Sequence, residues 1–177
     1  VSAFQPGAAG GPDGFFDIDG PRATNFSVLR LRRDIFARSS IGGLFENRSQ
    51  SAISTGSNQA WGVDGVFGLT QEINLSGYYS QTNTEGLDGL DASYRAQAGY
   101  SADLLGASVE HLVVGADFNP EIGFVRRKDF RQTSSNVSFR PRPDVSWIRQ
   151  VTFAADYDRI QNEQTGYLES EGYGGRF

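Results

Sequence analysis

From Asn25 onward, apolar and polar residues alternate along this chain with a period of two. Because neighbouring side chains of a β-strand point to opposite faces, this period predicts strands with one apolar face and one polar face. For example, Ile73 and Leu75 fall on one side, whereas Asn74 and Ser76 fall on the other. No window predicts a long amphipathic helix, and no apolar run reaches the roughly 18 residues that a transmembrane helix needs. The pattern therefore predicts an all-β protein.

The alternation divides the chain into nine predicted strands and a preceding segment, 1–24, that is rich in Gly, Ala and Pro and is expected to be a loop or linker. The predicted β-domain covers 25–177. Its strands are Asn25–Arg33, Ser39–Arg48, Gln59–Thr70, Ile73–Thr82, Asp91–Tyr100, Gly106–Val114, Ile122–Phe139, Trp147–Ile160 and Tyr167–Phe177. Single-chain bacterial membrane barrels have an even number of strands. The odd number predicts either a fragment of a larger barrel or an error of one strand.

The connections between these strands alternate in length. Short ones are predicted at Asp34–Arg38, Gln71–Glu72, Ser101–Leu105 and Arg140–Ser146, and longer ones at Ser49–Asn58, Asn83–Leu90, Gly115–Glu121 and Gln161–Gly166. Bacterial outer-membrane barrels have short turns at one end and longer loops at the other. The fold class that this favours is an antiparallel up-and-down membrane β-barrel, or part of one. The run Ile122–Phe139 is too long for the lipid layer and is expected to project into solvent.

Composition restricts the partners. The net charge is -5 and no basic stripe is present, so nucleic acid is not an expected partner. The chain has no Cys, which excludes disulfides and thiolate metal sites. No cofactor is predicted.

Several segments resemble a bacterial domain of unknown function with a barrel-like C-terminal region. They are Asn25–Asp34 with Arg38–Gly42, then Gly106–Leu112, and most specifically Phe118–Arg127, which reads FNPEIGFVRR. In that family, the barrel-like region follows a domain similar to family-9 carbohydrate-binding modules. The resemblance covers about Pro21 to the end, and it implies an outer membrane location in Gram-negative bacteria. It assigns no catalytic residue, and it supports the interpretation of this chain as a fragment.

The candidate site residues are charged side chains expected to point into a lumen or to lie at its rim, because charge on the lipid face is costly. They are Arg30, Arg32, Asp34, Glu110, His111, Arg126, Arg127 and Asp129. One interpretation is a structural network of Arg–carboxylate pairs. The other is an inner surface that selects anionic solutes. Both predict that Arg30 and Arg32, two residues apart, act on the same face.

No enzyme is predicted, because no nucleophile elbow, phosphate loop or zinc-protease motif occurs. His111 has no second soft ligand nearby, so no metal site is predicted there. A glycosidase-like pair drawn from Glu110, Asp117 and Glu121 is explained as a chance match of loop carboxylates. Two acidic, Gly-rich segments, Asp13–Gly20 and Glu85–Asp91, leave calcium open, although neither has EF-hand spacing.

The aromatic residues have two interpretations: the interfacial girdles of a barrel, or a sugar-stacking platform. Girdles are favoured because the rings are spread over most of the strands. The sequence thus predicts a non-enzymatic outer-membrane barrel domain with a structural, solute-passage or surface-binding role, linked to a carbohydrate-binding-like domain. Its expected partners are outer-membrane lipid, a saccharide or anionic solute, and other membrane or surface proteins. The alternative is a soluble extracellular β-sheet module that binds carbohydrate or protein.

Overall fold

A computed structural model describes residues 23–145 and 147–177 of the chain, and these form a single antiparallel sheet without helices. Its nine strands are hydrogen-bonded in chain order. They are β1 (Phe26–Phe36), β2 (Ser39–Arg48), β3 (Asn58–Gly68), β4 (Ile73–Thr84), β5 (Ala92–Ser101), β6 (Leu105–Val114), β7 (Phe130–Phe139), β8 (Phe153–Gln161) and β9 (Leu168–Arg176). The predicted linker 1–24 lies outside the described residues, apart from Ala23 and Thr24.

The all-β, up-and-down arrangement is confirmed, and all nine predicted strands occur. The sheet is not closed into a barrel, because within the described residues β1 pairs with β2 alone and β9 with β8 alone. Each of these two strands therefore has one free edge of backbone N–H and C=O groups.

Two predicted strands begin too early. The run Ile122–Phe139 is wrong in its first half: β7 begins at Phe130, and 115–129 is a loop that folds back over the sheet. The strand does not extend back through 122–129, because Asp129 adopts a left-handed backbone conformation, with φ 58°, that interrupts the extended chain just before Phe130. The run Trp147–Ile160 is also shorter, since β8 begins at Phe153.

Connections at the two ends of the sheet differ in length. At one end, called the turn end, they are 37–38, 69–72, 102–104 and 140–152; at the other, the loop end, they are 49–57, 85–91, 115–129 and 162–167. The predicted alternation therefore holds at the first three turns. The fourth turn is longer than predicted, because Pro141 and Pro143 interrupt the ladder and Val145 and Ile148 form a separate bridge.

Strand alternation and register separate two faces. The polar face carries most of the charged and hydrogen-bonding side chains, although it also carries apolar residues such as Val28 and Val66. Its polar residues are Arg30, Arg32, Glu46, Asp64, Ser76, Ser80, Arg95, Gln97, Glu110, Gln132, Ser134, Asn136, Asp156 and Asp158. The apolar face is covered by large side chains that are all exposed: Leu29, Leu31, Ile41, Phe45, Trp61, Val63, Ile73, Leu75, Tyr79, Tyr94, Tyr100, Leu105, Val109, Val137, Phe139, Phe153 and Tyr173. Val113 is an exception on this face, since it is only 3% exposed between its register partners Tyr94 and Arg131.

The apolar segment moves along the strands from β1 to β8. On β1 its side chains are Leu29 and Leu31, and the register carries Leu31, the one nearer the turn end, across the sheet to Gln161 on β8. On β8, however, the apolar segment is Phe153–Tyr157. Its centre, Ala155, lies six residues before Gln161. Six residues over the seven steps from β1 to β8 is roughly one residue per strand. With a rise of about 3.4 Å and a spacing of about 4.8 Å, the apolar band slants by roughly 30°.

Most of the deeply buried side chains of the described residues lie at the loop end, between the polar face and the loop 115–129. Ala60 is 3% exposed, Val114 6% and Phe118, from the loop, 7%. The fully buried side chains beside them are small and polar, namely Thr82, Thr84 and Ser93. Part of this loop therefore packs closely against its own sheet.

Candidate functional site

Arg30 forms an ion pair across the polar face. Its Nη1 lies 2.5 Å from Oδ1 of Asp64, two strands away on β3. The strand between them contributes Gly42, where a Cβ would come within 2.8 Å of Arg30 Nη2 and 2.9 Å of Asp64 Oδ1. A glycine at this position is what lets the two side chains meet. Arg32 lies on the same face, as predicted from the period, and donates to Ser40 Oγ at 2.9 Å.

Glu110 belongs to a second, separate group on the polar face. Arg95 Nη2 lies 2.5 Å from Glu110 Oε2 and donates to Gln97 Oε1 at 2.9 Å. Ser76 Oγ also donates to this amide oxygen, at 3.3 Å. The partner of Arg30 is Asp64 and the partner of Glu110 is Arg95, and neither partner was among the residues predicted from the sequence. The alternation could have identified them, because each occupies the polar side of its strand.

The loop 115–129 is fixed to the sheet by Glu121, whose side chain is only 5% exposed. Arg48 Nη1 lies 3.1 Å from its Oε2, which also accepts the backbone N–H of Ala52 at 2.8 Å. Ser51 Oγ and Asn119 Nδ2 donate to Oε1, at 2.5 and 3.2 Å. Four donors around a buried carboxylate satisfy its charge, so this residue anchors the loop.

A buried hydrogen-bond network continues this anchor into the strands. Asn58 Nδ2 donates to Thr84 Oγ1 at 2.6 Å and to the Asn119 carbonyl at 2.7 Å. Asn58 Oδ1 accepts the Glu121 N–H at 3.3 Å, and Thr82 Oγ1 accepts the Asn119 N–H at 2.9 Å. The backbone of the loop is thus hydrogen-bonded to side chains of β3 and β4, which places it on the polar face.

Asp129 ends the loop and holds the β8–β9 connection. Its Oδ2 accepts from Asn162 Nδ2 at 2.5 Å and its Oδ1 from the Gln164 N–H at 3.1 Å. Arg127, two residues earlier, is paired with Glu169 and lies over the Phe130 ring at 5.1 Å from its centroid. These two predicted residues are therefore partners of β9 and its preceding loop.

Arg126 has no hydrogen-bond or ion-pair partner among the described residues. It lines a cavity of about 640 Å³ between the loop and the polar face, together with side chains from β2 to β8. Much of the lining is apolar: Leu44, Ala60, Leu112, Val114, Phe118, Pro120, Phe124, Val125, Phe130 and Ile160. An apolar lining beneath the loop contrasts with the charged remainder of this face.

The remaining predicted residues lie apart. His111 alternates with Glu110 and therefore faces the apolar side, where its Nδ1 lies 2.8 Å from Thr133 Oγ1. Asp34 lies at the turn end of β1, opposite Ser40 in the register. The eight predicted residues thus occupy several separate places on both faces and do not form one network.

No cluster of three or more potential metal ligands occurs in the described part of the chain. Of the two segments for which calcium was left open, Asp13–Gly20 lies outside the described residues. In the other, Glu85 Oε2 accepts from Thr55 and Asp91 accepts from Gln81. Among the described residues, no helix has the length and apolar character to span a membrane.

No protein-family model, curated protein or solved structure matches this chain. The resemblance to a barrel-like domain that follows a carbohydrate-binding-like domain therefore stays a prediction, and the function must be inferred from the geometry.

Proposed function

We propose that this chain forms part of the wall of a β-barrel in a bacterial outer membrane. In this proposal the apolar face contacts lipid and the polar face lines an aqueous interior. The observation that carries the proposal is the slanted band of exposed apolar side chains, which crosses β1 to β8 on one face of the sheet.

The area of this band supports lipid as the partner. Soluble monomers rarely expose contiguous apolar patches larger than a few hundred Å², whereas here the exposed face extends over nine strands. Leu31, Val63 and Val109, from three different strands, are 65%, 55% and 47% exposed. Opposite them, the polar face carries ion pairs, as expected for a water-filled interior.

The slant supports a barrel over a sandwich. Barrel strands tilt by about 35–45° from the axis. If the apolar band lies parallel to the membrane plane, its slant makes these strands tilt by roughly 30°. In an aligned sandwich the strands of the covering sheet run nearly parallel to the strands that they cover. That arrangement gives no reason for the apolar segment to shift by about one residue from each strand to the next.

Aromatic rings follow both borders of the band, where interfacial girdles are expected. The border nearer the loop end contains Phe45, Trp61, Tyr79, Tyr94, Tyr157 and Tyr173, and the border nearer the turn end contains Phe67, Tyr100, Phe139 and Phe153. Neighbouring rings pair, as in Trp61–Tyr79 at 5.6 Å and Phe139–Phe153 at 6.5 Å between centroids.

The free edges of β1 and β9 bear on the size of the barrel. Unpaired backbone groups are not tolerated in lipid, because nothing there satisfies their hydrogen bonds. Within the proposal, both edges are therefore paired with further strands, which makes this sheet a section of a larger barrel. The loop 115–129 narrows the interior, so the domain serves a structural, solute-passage or surface-binding role. The attached carbohydrate-binding-like domain is proposed on the sequence resemblance alone.

Single-cysteine labelling tests the proposal cleanly, because the chain has no native Cys. An environment-sensitive dye on Leu75→Cys should be quenched by nitroxide-labelled lipids, and the same dye on the adjacent Ser76→Cys by aqueous iodide. Dyes at Leu31→Cys and Ala155→Cys should report the same depth. A dye at Gln161→Cys, in the same hydrogen-bonded row as Leu31, should lie closer to water.

Iodide quenching at both Leu75→Cys and Ser76→Cys, with no lipid quenching at either, would reject the membrane barrel and favour the soluble module. Equal depths for Leu31→Cys and Gln161→Cys would show that the slant does not follow the membrane plane.

A further inference from the structure

The cavity beneath the loop 115–129 has the size of a ligand site. Its volume of about 640 Å³ falls within the roughly 300–1,000 Å³ of typical small-molecule pockets. One wall is the polar face of the sheet, with Leu44, Leu112 and Ile160 from three different strands. The other wall is the loop itself, with Phe118 and further residues up to 127.

Apolar lining and volume together indicate an apolar occupant. Apolar side chains are stabilised when they leave water, and those lining this open cavity are only partly covered by the loop. If the loop only had to cover the apolar strand residues, Phe124 would pack onto them, but it is 87% exposed. The loop therefore leaves space above Leu44 and Leu112 instead of filling it.

The charge at the cavity indicates an anionic group on that occupant. Arg126 lines the cavity and has no partner in the described part of the chain, whereas the neighbouring Arg127 is paired with Glu169. A guanidinium group binds carboxylates and related oxyanions through paired N–H donors. Glu46 also lines the cavity. Because its carboxylate repels anionic groups, the ligand is expected to carry a single acid group, bound by Arg126.

The cavity is held open by the anchor of the loop. Glu121, 5% exposed, is bound by Arg48 at 3.1 Å on one side of the cavity. Asp129 fixes the other end of the loop through Asn162 and Gln164. Both supports are made by residues of the chain itself, so they preorganise the site, which reduces the free-energy cost of binding.

We infer that this cavity binds an amphipathic organic monoanion, with its apolar body against Leu44, Leu112 and Ile160 and its acid group on Arg126. The inference rests on the proposed function only for how the ligand reaches the cavity, because the polar face then lines the barrel interior. Binding itself depends only on the polar face and the loop.

The test uses 1-naphthaleneacetate as the probe and 1-naphthaleneacetamide as its uncharged analogue. Each is titrated by calorimetry into the full chain in detergent, and protein-free micelles serve as the blank. The acid should bind at one site, and Arg126→Gln should weaken it about tenfold, the size expected for a hydrogen bond to a charged group. The matched control is Arg142→Gln at the turn end, which should leave the affinity unchanged. Leu112→Trp, which fills the cavity, should abolish binding.

The inference is overturned if the acid binds no better than the blank, if the amide binds as tightly as the acid, or if Arg126→Gln and Arg142→Gln have the same affinity. These outcomes are distinguishable from failure of the proposed function, since binding in detergent does not depend on insertion of the apolar face into lipid.

Discussion

The two faces of this sheet share one backbone and are offset by one residue along each strand, yet the surroundings of their side chains differ. On the polar face, Arg30 and Arg95 each reach a carboxylate at 2.5 Å, and a loop covers part of the surface. On the apolar face, large side chains such as Leu75 and Trp61 remain exposed. The difference shows that side chains of the polar face find partners within the described residues, whereas most large side chains of the apolar face do not. Under the proposed function, lipid covers the apolar face.

The largest effect is expected from removing the anchor of the loop on the polar face. Glu121→Ala leaves Arg48 and buried donors unpaired, which should destabilise the docked loop by about 3–5 kcal/mol. Limited proteolysis with trypsin should then cleave faster at Arg126–Lys128 within the loop. Asp103→Ala, whose side chain is 84% exposed at the turn end, is the control. Equal cleavage rates would show that Glu121 does not hold the loop.

The next effect tests which face meets lipid. Leu75→Arg should oppose folding into lipid vesicles by about 2–4 kcal/mol, the cost of Arg near the bilayer midplane. Ser76→Arg, one residue further on the polar face, should insert with little loss. Folding yield and urea unfolding in vesicles measure both. Similar losses for the two variants would remove the distinction between the faces.

A pair of adjacent glycines sharpens the comparison within one strand. Gly42→Ala places a Cβ 2.8 Å from Arg30 Nη2 and should cost about 1 kcal/mol or more by displacing the ion pair. Gly43→Ala faces the apolar side, where the nearest atom would be Gly62 O at 3.9 Å, and should be close to neutral. Denaturant titration of both variants in detergent is the measurement. A loss at Gly43 equal to that at Gly42 would contradict the account of the ion pair.

The smallest effect is expected at the turn end. Arg142 and Asp103 approach to 3.2 Å, but their side chains are 61% and 84% exposed. Ion pairs exposed in this way contribute little, because water and salt screen them. Arg142→Ala should therefore leave the unfolding midpoint unchanged within error in the same titration. A clear loss would mean that this connection packs more closely than its exposure indicates.

Local sequence predicted the strands well but not the loop. Period two depends only on neighbouring side chains, so the nine strands and the shared face of Arg30 and Arg32 could be predicted. The segment 122–129 also alternates in part, and it was wrongly joined to β7. The contacts that anchor the loop are made just before this segment, by Asn119 and Glu121. Their partners Asn58, Thr82 and Arg48 are distant in sequence, so no local pattern predicts these contacts.

The sequence by itself determined an all-β chain with two unlike faces, because strand geometry converts a period of two directly into faces. It also predicted four short turns at one end, of which the first three are short. Only the tertiary structure decided which charges pair. Arg30 on β1 reaches Asp64 on β3 because Gly42, on the strand between them, has no side chain in the way. The tertiary structure also decided that the sheet stays open among the described residues and that the loop 115–129 encloses a cavity on the polar face. These features depend on contacts between segments distant in sequence, which alternation alone does not encode.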